Sequence, residues 1–111
     1  MSHAKQHLPV EFIESMADII KIIGNPQRLQ ILEYLDIHGE TDVNAIVEGV
    51  KGQQNAVSQH LNKMRLAGII ASRRAGRQIL YKIAAENAVT ILNCMRKRYH
   101  GCAMPPTESG E

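Results

Sequence analysis

Residues 53–83 read QQNAVSQHLNKMRLAGIIASRRAGRQILYKI, and this stretch decides the fold. Residues 55–67 carry apolar side chains at nearly helical spacing, so they are predicted to form an amphipathic helix. The predicted inward positions are Ala56, Val57, Leu61, Met64 and Leu66. Gly68 then ends the helix, as glycine does at a left-handed C-terminal position.

A two-stranded ribbon follows this helix. Residues 69–70 begin a short strand, residues 75–78 form a turn with an arginine, and residues 79–83 return as a second strand rich in β-formers. A helix followed by such a ribbon is the sequence pattern of a winged helix-turn-helix. In that fold the helix enters the major groove of DNA, and we expect the ribbon to grip the adjacent backbone or minor groove.

Charge is distributed unevenly along the chain. Residues 51–82 hold seven basic residues and no acidic one, whereas residues 1–50 hold three basic and eight acidic residues. Residues 83–111 hold three of each. The net charge of +2 therefore conceals a basic segment that a polyanion would contact first.

The outward face of the predicted helix carries amides, a hydroxyl and a cation but no carboxylate. Asparagine and glutamine can pair bidentately with adenine, serine can donate or accept, and lysine can reach guanine or phosphate. A polar helix face alone is usually only solvated surface, but its combination with the ribbon favours double-stranded DNA as the partner. The predicted DNA-binding residues are Gln53, Gln54, Asn55, Ser58, Gln59, Asn62, Lys63, Arg74, Arg77 and Gln78.

Four further helices frame this stretch. A first helix begins near Pro9 and stops at a Gly-Asn-Pro break, and a second runs over residues 27–37. Residues 43–50 are predicted to form the first helix of the helix-turn-helix, with residues 49–52 as its turn. The last helix runs over about residues 85–99. The predicted fold is mainly α with one β-hairpin, in the order helix-helix-helix-helix-strand-strand-helix.

A length of 111 residues with 44% hydrophobic residues predicts one domain with a modest core. We expect this DNA-binding and dimerisation domain to span residues 9–102, between a flexible arm at residues 1–8 and a disordered tail at residues 103–111. The sequence has neither a run of about 18 apolar residues nor a cationic-then-apolar leader. It therefore predicts a cytoplasmic protein with no membrane partner.

Apolar residues in excess of this core lie on the first and last helices, which predicts a homodimer built from them. The predicted interface residues are Phe12, Met16, Ile19, Ile20, Ile91, Leu92, Met95 and Tyr99. A two-fold pair would also read two half-sites about 34 Å apart, one turn of DNA.

Three segments resemble the ArsR/SmtB family of small winged-helix repressors. They read IIGNPQRLQILEYL (22–35), NAVSQHLNKMRLAGII (55–70) and RRAGRQILYKI (73–83), and the similarity runs from about Met16 to Tyr99. The resemblance implies a homodimer of five or so helices and one hairpin that represses an operator until an inducer releases it. By the same resemblance, bases or phosphates are read at Gln54, Asn55, Ser58 and Gln59, and Arg77 stands at the wing tip.

The two best-known metal sites of that family are missing from this sequence. Asp42 and Asn44 stand where arsenic, cadmium and lead sensors have a Cys-x-Cys pair of soft thiolates. An ungapped alignment also places Ala85, Asn87, Arg98 and Gly101 where zinc and cobalt sensors have Asp and His ligands. The alternative of a metal- or thiol-responsive sensor for zinc, nickel or cobalt stays open through His3, His7, Cys94, His100 and Cys102.

The two cysteines are not expected to bond within one subunit. Cys94 and Cys102 are eight residues apart, and on one straight helix that separation is about 12 Å, beyond the limit of about 7 Å between bonded Cα atoms. We expect Cys94 to pack as a small hydrophobe in the dimer interface.

The sequence contains no catalytic arrangement. Ser58 and His60 are two positions apart on a helix and face different directions, so they cannot act as nucleophile and base, and His60 is expected to pack or cap. We therefore predict a non-enzyme.

The alternative is a winged helix that has become a protein-interaction module or antirepressor. A surface used only for protein interaction would have no reason to keep the uninterrupted positive charge of residues 51–82.

Overall fold

The computed structural model describes residues 5–101, so His3, Cys102 and the predicted tail lie outside the described residues. Within that range the chain forms α1 (Val10–Ile23), α2 (Pro26–His38), β1 (Thr41–Asp42), α3 (Val43–Val50), α4 (Gln54–Leu66), β2 (Ile70–Ala75), β3 (Gln78–Ile83) and α5 (Glu86–Gly101). The winged helix-turn-helix predicted from the sequence is confirmed, with α3 and α4 as its two helices and β2–β3 as the wing. None of the helices in residues 5–101 has the length and apolar character needed to cross a bilayer.

Side-chain caps fix where α2 and α3 begin. Asn25 Oδ1 accepts hydrogen bonds from the backbone N–H groups of Gln27 and Arg28, at 2.9 and 3.1 Å. Asp42 Oδ1 accepts one from the N–H of Ala45, at 2.8 Å. Because each cap satisfies donors that have no partner inside the helix, it stabilises the helix start by about 1 kcal/mol.

The core holds α4 by its inner face. Val57, Leu61 and Met64 are fully buried, and they pack with buried residues of the other helices and of the start of the hairpin. These neighbours are Ile23, Ile31, Leu32, Leu35, Ile46, Val50, Ile69, Ile70, Ala88 and Leu92. Burial of one face of α4 leaves the opposite face, with its amides and cations, directed outward.

The sheet has three antiparallel strands in the order β1-β3-β2 rather than two. Strands β2 and β3 pair around a two-residue turn, in which Gly76 has φ +66° and Arg77 does not adopt a positive φ. Glycine at the first central position is the pattern of a type II′ hairpin turn. The added strand β1 pairs with β3 through Thr41↔Tyr81, and two residues are too few to give a periodic sequence signal.

Two expectations about α3 and α4 are wrong. Leu66 is 72% exposed, because it lies two positions after Met64 and so falls on a different side of the helix. Gly49 is helical rather than part of the turn, since α3 continues to Val50. A Cβ at Gly49 would overlap the ring of Tyr34, so the glycine permits close packing of α3 on α2.

Candidate nucleic-acid interface

All ten residues predicted to contact DNA are exposed. Seven lie on α4 or just before it: Gln53, Gln54, Asn55, Ser58, Gln59, Asn62 and Lys63. The other three, Arg74, Arg77 and Gln78, lie on the hairpin. The structure therefore presents every one of these side chains to solvent, as contact with DNA requires.

The N-terminus of α4 carries no capping side chain. Gln53 precedes the helix in an extended conformation and makes no side-chain hydrogen bond to the first N–H groups. Such groups, together with the positive end of the helix dipole, favour an anion such as phosphate. The same helix end also carries the amides of Gln54 and Asn55, where a base edge could be read.

Two acidic residues hold the hairpin in place. Glu40 accepts two hydrogen bonds from the Arg73 guanidinium, at 2.7 and 2.9 Å, and this contact lowers the pKa of Glu40. Asp42, which caps α3, also accepts from Nε2 of Gln78 at 2.6 Å. The sequence predicts neither contact, because the paired residues are 33 and 36 positions apart and no local pattern links them.

The basic residues of the segment 51–82 are all exposed. Arg73 is paired with Glu40, and Arg65 donates to Oδ1 of Asn62 at 2.6 Å. Within residues 5–101 no ion pair forms at the other five basic positions, which are Lys51, Lys63, Arg74, Arg77 and Lys82. A segment that carries these cations and has no acidic residue in its own sequence attracts a polyanion.

His60 is half-buried on the inner side of α4, consistent with packing rather than metal binding. Its Nδ1 accepts a hydrogen bond from Nε of Arg28 at 3.0 Å, so the neutral ring carries its proton on Nε2. Burial, and then the charge of Arg28, lower the pKa of His60 below its ordinary value of 6.5. We therefore expect a neutral His60 at pH 7.

This pKa shift predicts how stability depends on pH. Because the folded pKa lies below 6.5, the unfolded chain binds the proton more readily, so the contribution of His60 to the free energy of unfolding is lost as the pH falls below 6.5. In an NMR titration, the ring of His60 should have its midpoint below 6.5 in the parent and closer to 6.5 in Arg28→Ala. An unchanged midpoint in the variant would contradict the effect of Arg28.

The residues of the metal-sensor alternative are not gathered within the described part of the chain. His7, Cys94 and His100 are exposed, whereas His3 and Cys102 lie outside the described residues. Among residues 5–101, no three His, Cys, Asp or Glu side chains come together in a group that could hold a metal ion. The metal- or thiol-responsive sensor therefore stays a prediction.

The predicted interface helices expose large apolar side chains. Phe12, Ile20, Met95 and Tyr99 are 49%, 53%, 45% and 69% exposed. Met16, Ile19 and Ile91 are half-buried. The structure corrects the prediction that Leu92 is an interface residue. Its side chain is only 3% exposed in the core of its own subunit, so it offers a partner almost no surface.

An open groove of about 510 Å³ lies beside this apolar surface, between α2 and α5. Its lining includes Leu29 of α2 together with Met95 and Tyr99 of α5. The groove is therefore continuous with the exposed apolar residues of α5.

The arrangement of α3, α4 and the hairpin defines a winged helix-turn-helix DNA-binding protein. The family model described as "Bacterial regulatory protein, arsR family" matches residues 25–72. The chain is also 33% identical over 102 residues to the nodulation protein NolR of Rhizobium meliloti, covering 89% of this chain and 83% of that protein. It belongs to the ArsR family of bacterial regulatory proteins, which confirms the resemblance.

Solved structures agree with this assignment. The transcriptional repressor PagR of Bacillus anthracis matches with a TM-score of 0.71 and 31% identity, covering 78% of this chain and 99% of that one. A winged helix-turn-helix domain from Mycobacterium bovis, described as homodimeric, matches with a TM-score of 0.66 and 25% identity, covering 86% and 87%. The chain is thus a DNA-binding transcriptional regulator and not an enzyme, and the homodimeric relative supports the predicted homodimer.

Proposed function

We propose that this chain represses transcription as a homodimer that inserts its two α4 helices into successive major-groove segments of an operator. The observation that carries the proposal is the exposure of all ten predicted contact residues on one helix and the adjoining hairpin. These residues lie within a segment, 51–82, that contains no acidic residue. Because the family consists of bacterial regulatory proteins and the proposed partner is duplex DNA, we propose that the chain acts in the cytoplasm.

We propose base-reading and phosphate-binding roles for outward residues of α4 and for Gln53, which precedes the helix. Asn55 and Gln59 carry amides that can pair bidentately with adenine, and Ser58 can donate to or accept from a base edge. Gln53 and Gln54 stand at the uncapped helix start, where a phosphate is favoured. Asn62 and Lys63 are farther along α4, and there Lys63 can neutralise a backbone phosphate.

The hairpin supplies contacts beside the groove that α4 occupies. Arg77 occupies the exposed two-residue turn, and Arg74 lies on β2. Gln78 donates to Asp42, and Arg73 donates to Glu40, so both contacts join the hairpin to the segment at the start of α3. We propose that Arg74 and Arg77 bind backbone phosphate or the minor groove.

We propose that the dimer directs both copies of α4 and the hairpin towards the same side of the molecule. In this proposal the exposed apolar residues of α1 and α5 meet those of a second copy, which also covers the groove next to Met95 and Tyr99. Cys94, which we expect to pack in this interface, is exposed on the same helix, α5. A two-fold pair can then contact half-sites about 34 Å apart, and the packing of these helices sets that separation.

A titration with the DNA upstream of the chain's own gene tests this function. In a gel shift at physiological salt, the parent should bind that DNA with a dissociation constant of about 10⁻⁸ to 10⁻¹¹ M. It should bind a scrambled duplex at least about 10³-fold more weakly. Equal binding to both duplexes, or to neither, would favour the protein-interaction module or antirepressor.

Metal analysis of the purified protein beside the Cys102→Ser variant tests the sensor alternative.

Arg77→Ala should weaken binding to operator and scrambled duplex alike. The turn arginine is proposed to contact phosphate, so its removal should lower the slope of log affinity against log salt by about one. The measurement is a titration at several salt concentrations. Arg98→Ala, which removes an exposed arginine from α5, is the matched control and should keep the parent slope. An unchanged slope in Arg77→Ala would exclude the turn from the phosphate contacts.

A further inference from the structure

One half-buried side chain joins three helices behind the DNA-facing surface. Arg28, in the first turn of α2, donates from Nη1 to the backbone carbonyl of Ile22 at 2.7 Å and from Nε to Nδ1 of His60 at 3.0 Å. Ile22 lies in the last turn of α1, where carbonyl groups have no partner inside the helix. The guanidinium thus ties the end of α1 directly to the middle of α4.

The geometry of this contact is restrictive. The two donors belong to one planar, rigid guanidinium, so the distance and angle between the Ile22 carbonyl and the His60 ring are set together. His60 follows Ser58 and Gln59 in sequence, but its side chain is half-buried while theirs are exposed. A rotation of α4 that moves His60 relative to Arg28 must therefore also move the outward residues that face DNA.

The other end of the same connection leads to the dimer surface. Helix α1 carries Phe12 and Ile20, which are about half exposed on the apolar face proposed to meet the second copy. In the proposed dimer the partner subunit contacts α1, and Arg28 connects the end of α1 to α4. Arg28 is itself half-buried and lies on α2, so it acts through His60 and not by touching DNA.

We propose that Arg28 is a positioning residue for operator recognition. Through its bonds to Ile22 and His60 it fixes α4 against α1, and this determines which separation of half-sites the two α4 helices accept. The inference rests on the proposed function, because it needs an operator that is read by α4.

The experiment compares operators whose half-sites are separated by the natural spacing and by one base pair more or less. Four proteins are titrated against them: the parent, Arg28→Ala, His60→Ala and His60→Asn. In His60→Asn the amide oxygen takes a position near the lost Nδ1 and can accept from Arg28. This variant therefore separates loss of the hydrogen bond from loss of the imidazole ring.

The parent should prefer the natural spacing. Arg28→Ala and His60→Ala should reduce that preference by about two- to thirtyfold, and His60→Asn should retain it. Affinity for a scrambled duplex and its salt slope should stay at the parent values, because Arg28 binds no phosphate. A residue with a merely structural role would lower affinity for all three spacings equally.

Each outcome decides between the two proposals. If the parent binds no operator, the proposed function fails. If the parent prefers the natural spacing and both alanine variants keep that preference, the positioning role of Arg28 is overturned and the proposed function stands. Sedimentation and thermal melting establish that each variant is a folded dimer, and if Arg28→Ala does not fold, the two His60 variants decide.

Discussion

Phe12→Glu is expected to separate the dimer and to lower operator affinity by about 10²–10⁴-fold, because a single subunit loses the gain from binding two linked half-sites. Phe12 is 49% exposed on α1, so glutamate can be accommodated in the isolated subunit. In the dimer the same carboxylate would be buried against apolar side chains without a partner, which strongly disfavours association. Analytical ultracentrifugation gives the oligomeric state, and an operator titration gives the affinity.

Ile37→Glu is the matched control for this prediction. Ile37 is a large apolar residue that is 62% exposed near the end of α2, outside the proposed interface. This variant introduces the same charge and should remain a dimer with the parent affinity. A Phe12→Glu protein that sedimented as a dimer and bound operator like the parent would show that α1 does not form the interface.

Gln59→Ala is expected to cost about 1 to 3 kcal/mol of operator binding and to relax the preference at one base position. Gln59 is exposed on α4, one residue before His60, whose inward contact orients this part of the helix. Its amide can donate and accept at the same time, so alanine removes both hydrogen bonds to a base without changing the charge. The measurement is a titration against the operator and against variants substituted at each position of one half-site.

A glutamine outside the interface provides the control. Gln6 is exposed ahead of α1 and does not line the groove between α2 and α5, so Gln6→Ala should leave both affinity and base preference unchanged. Scrambled duplex should bind Gln59→Ala as it binds the parent, since no phosphate contact is removed. If Gln59→Ala discriminates among the substituted operators as the parent does, Gln59 does not read a base.

Local sequence signals were sufficient to predict the elements that carry the site. The spacing of Val57, Leu61 and Met64 identified the buried face of α4, and all three are fully buried in the structure. Gly68 has φ +79°, as a glycine that ends a helix is expected to have. Since burial of one face determines the other, the exposed face of α4 could be predicted from the same pattern.

Contacts between distant residues could not be predicted in this way. Arg28 meets His60 across 32 positions, and Arg73 meets Glu40 across 33, and neither pair lies on a common helix or strand that periodicity could reveal. The predicted and observed positions of Leu92 differ for a related reason. Helical spacing identifies an apolar side but not whether the same subunit or a partner covers it, and here its own core does.

Hydroxyl-radical footprinting of the operator tests the central claim most directly, namely that two copies of α4 and the hairpin dock together on one duplex. The account predicts two protected segments on one face of the DNA, with centres about 10 base pairs apart, and loss of both in Phe12→Glu. A single protected segment, or protection that survives in a monomeric variant, would contradict it.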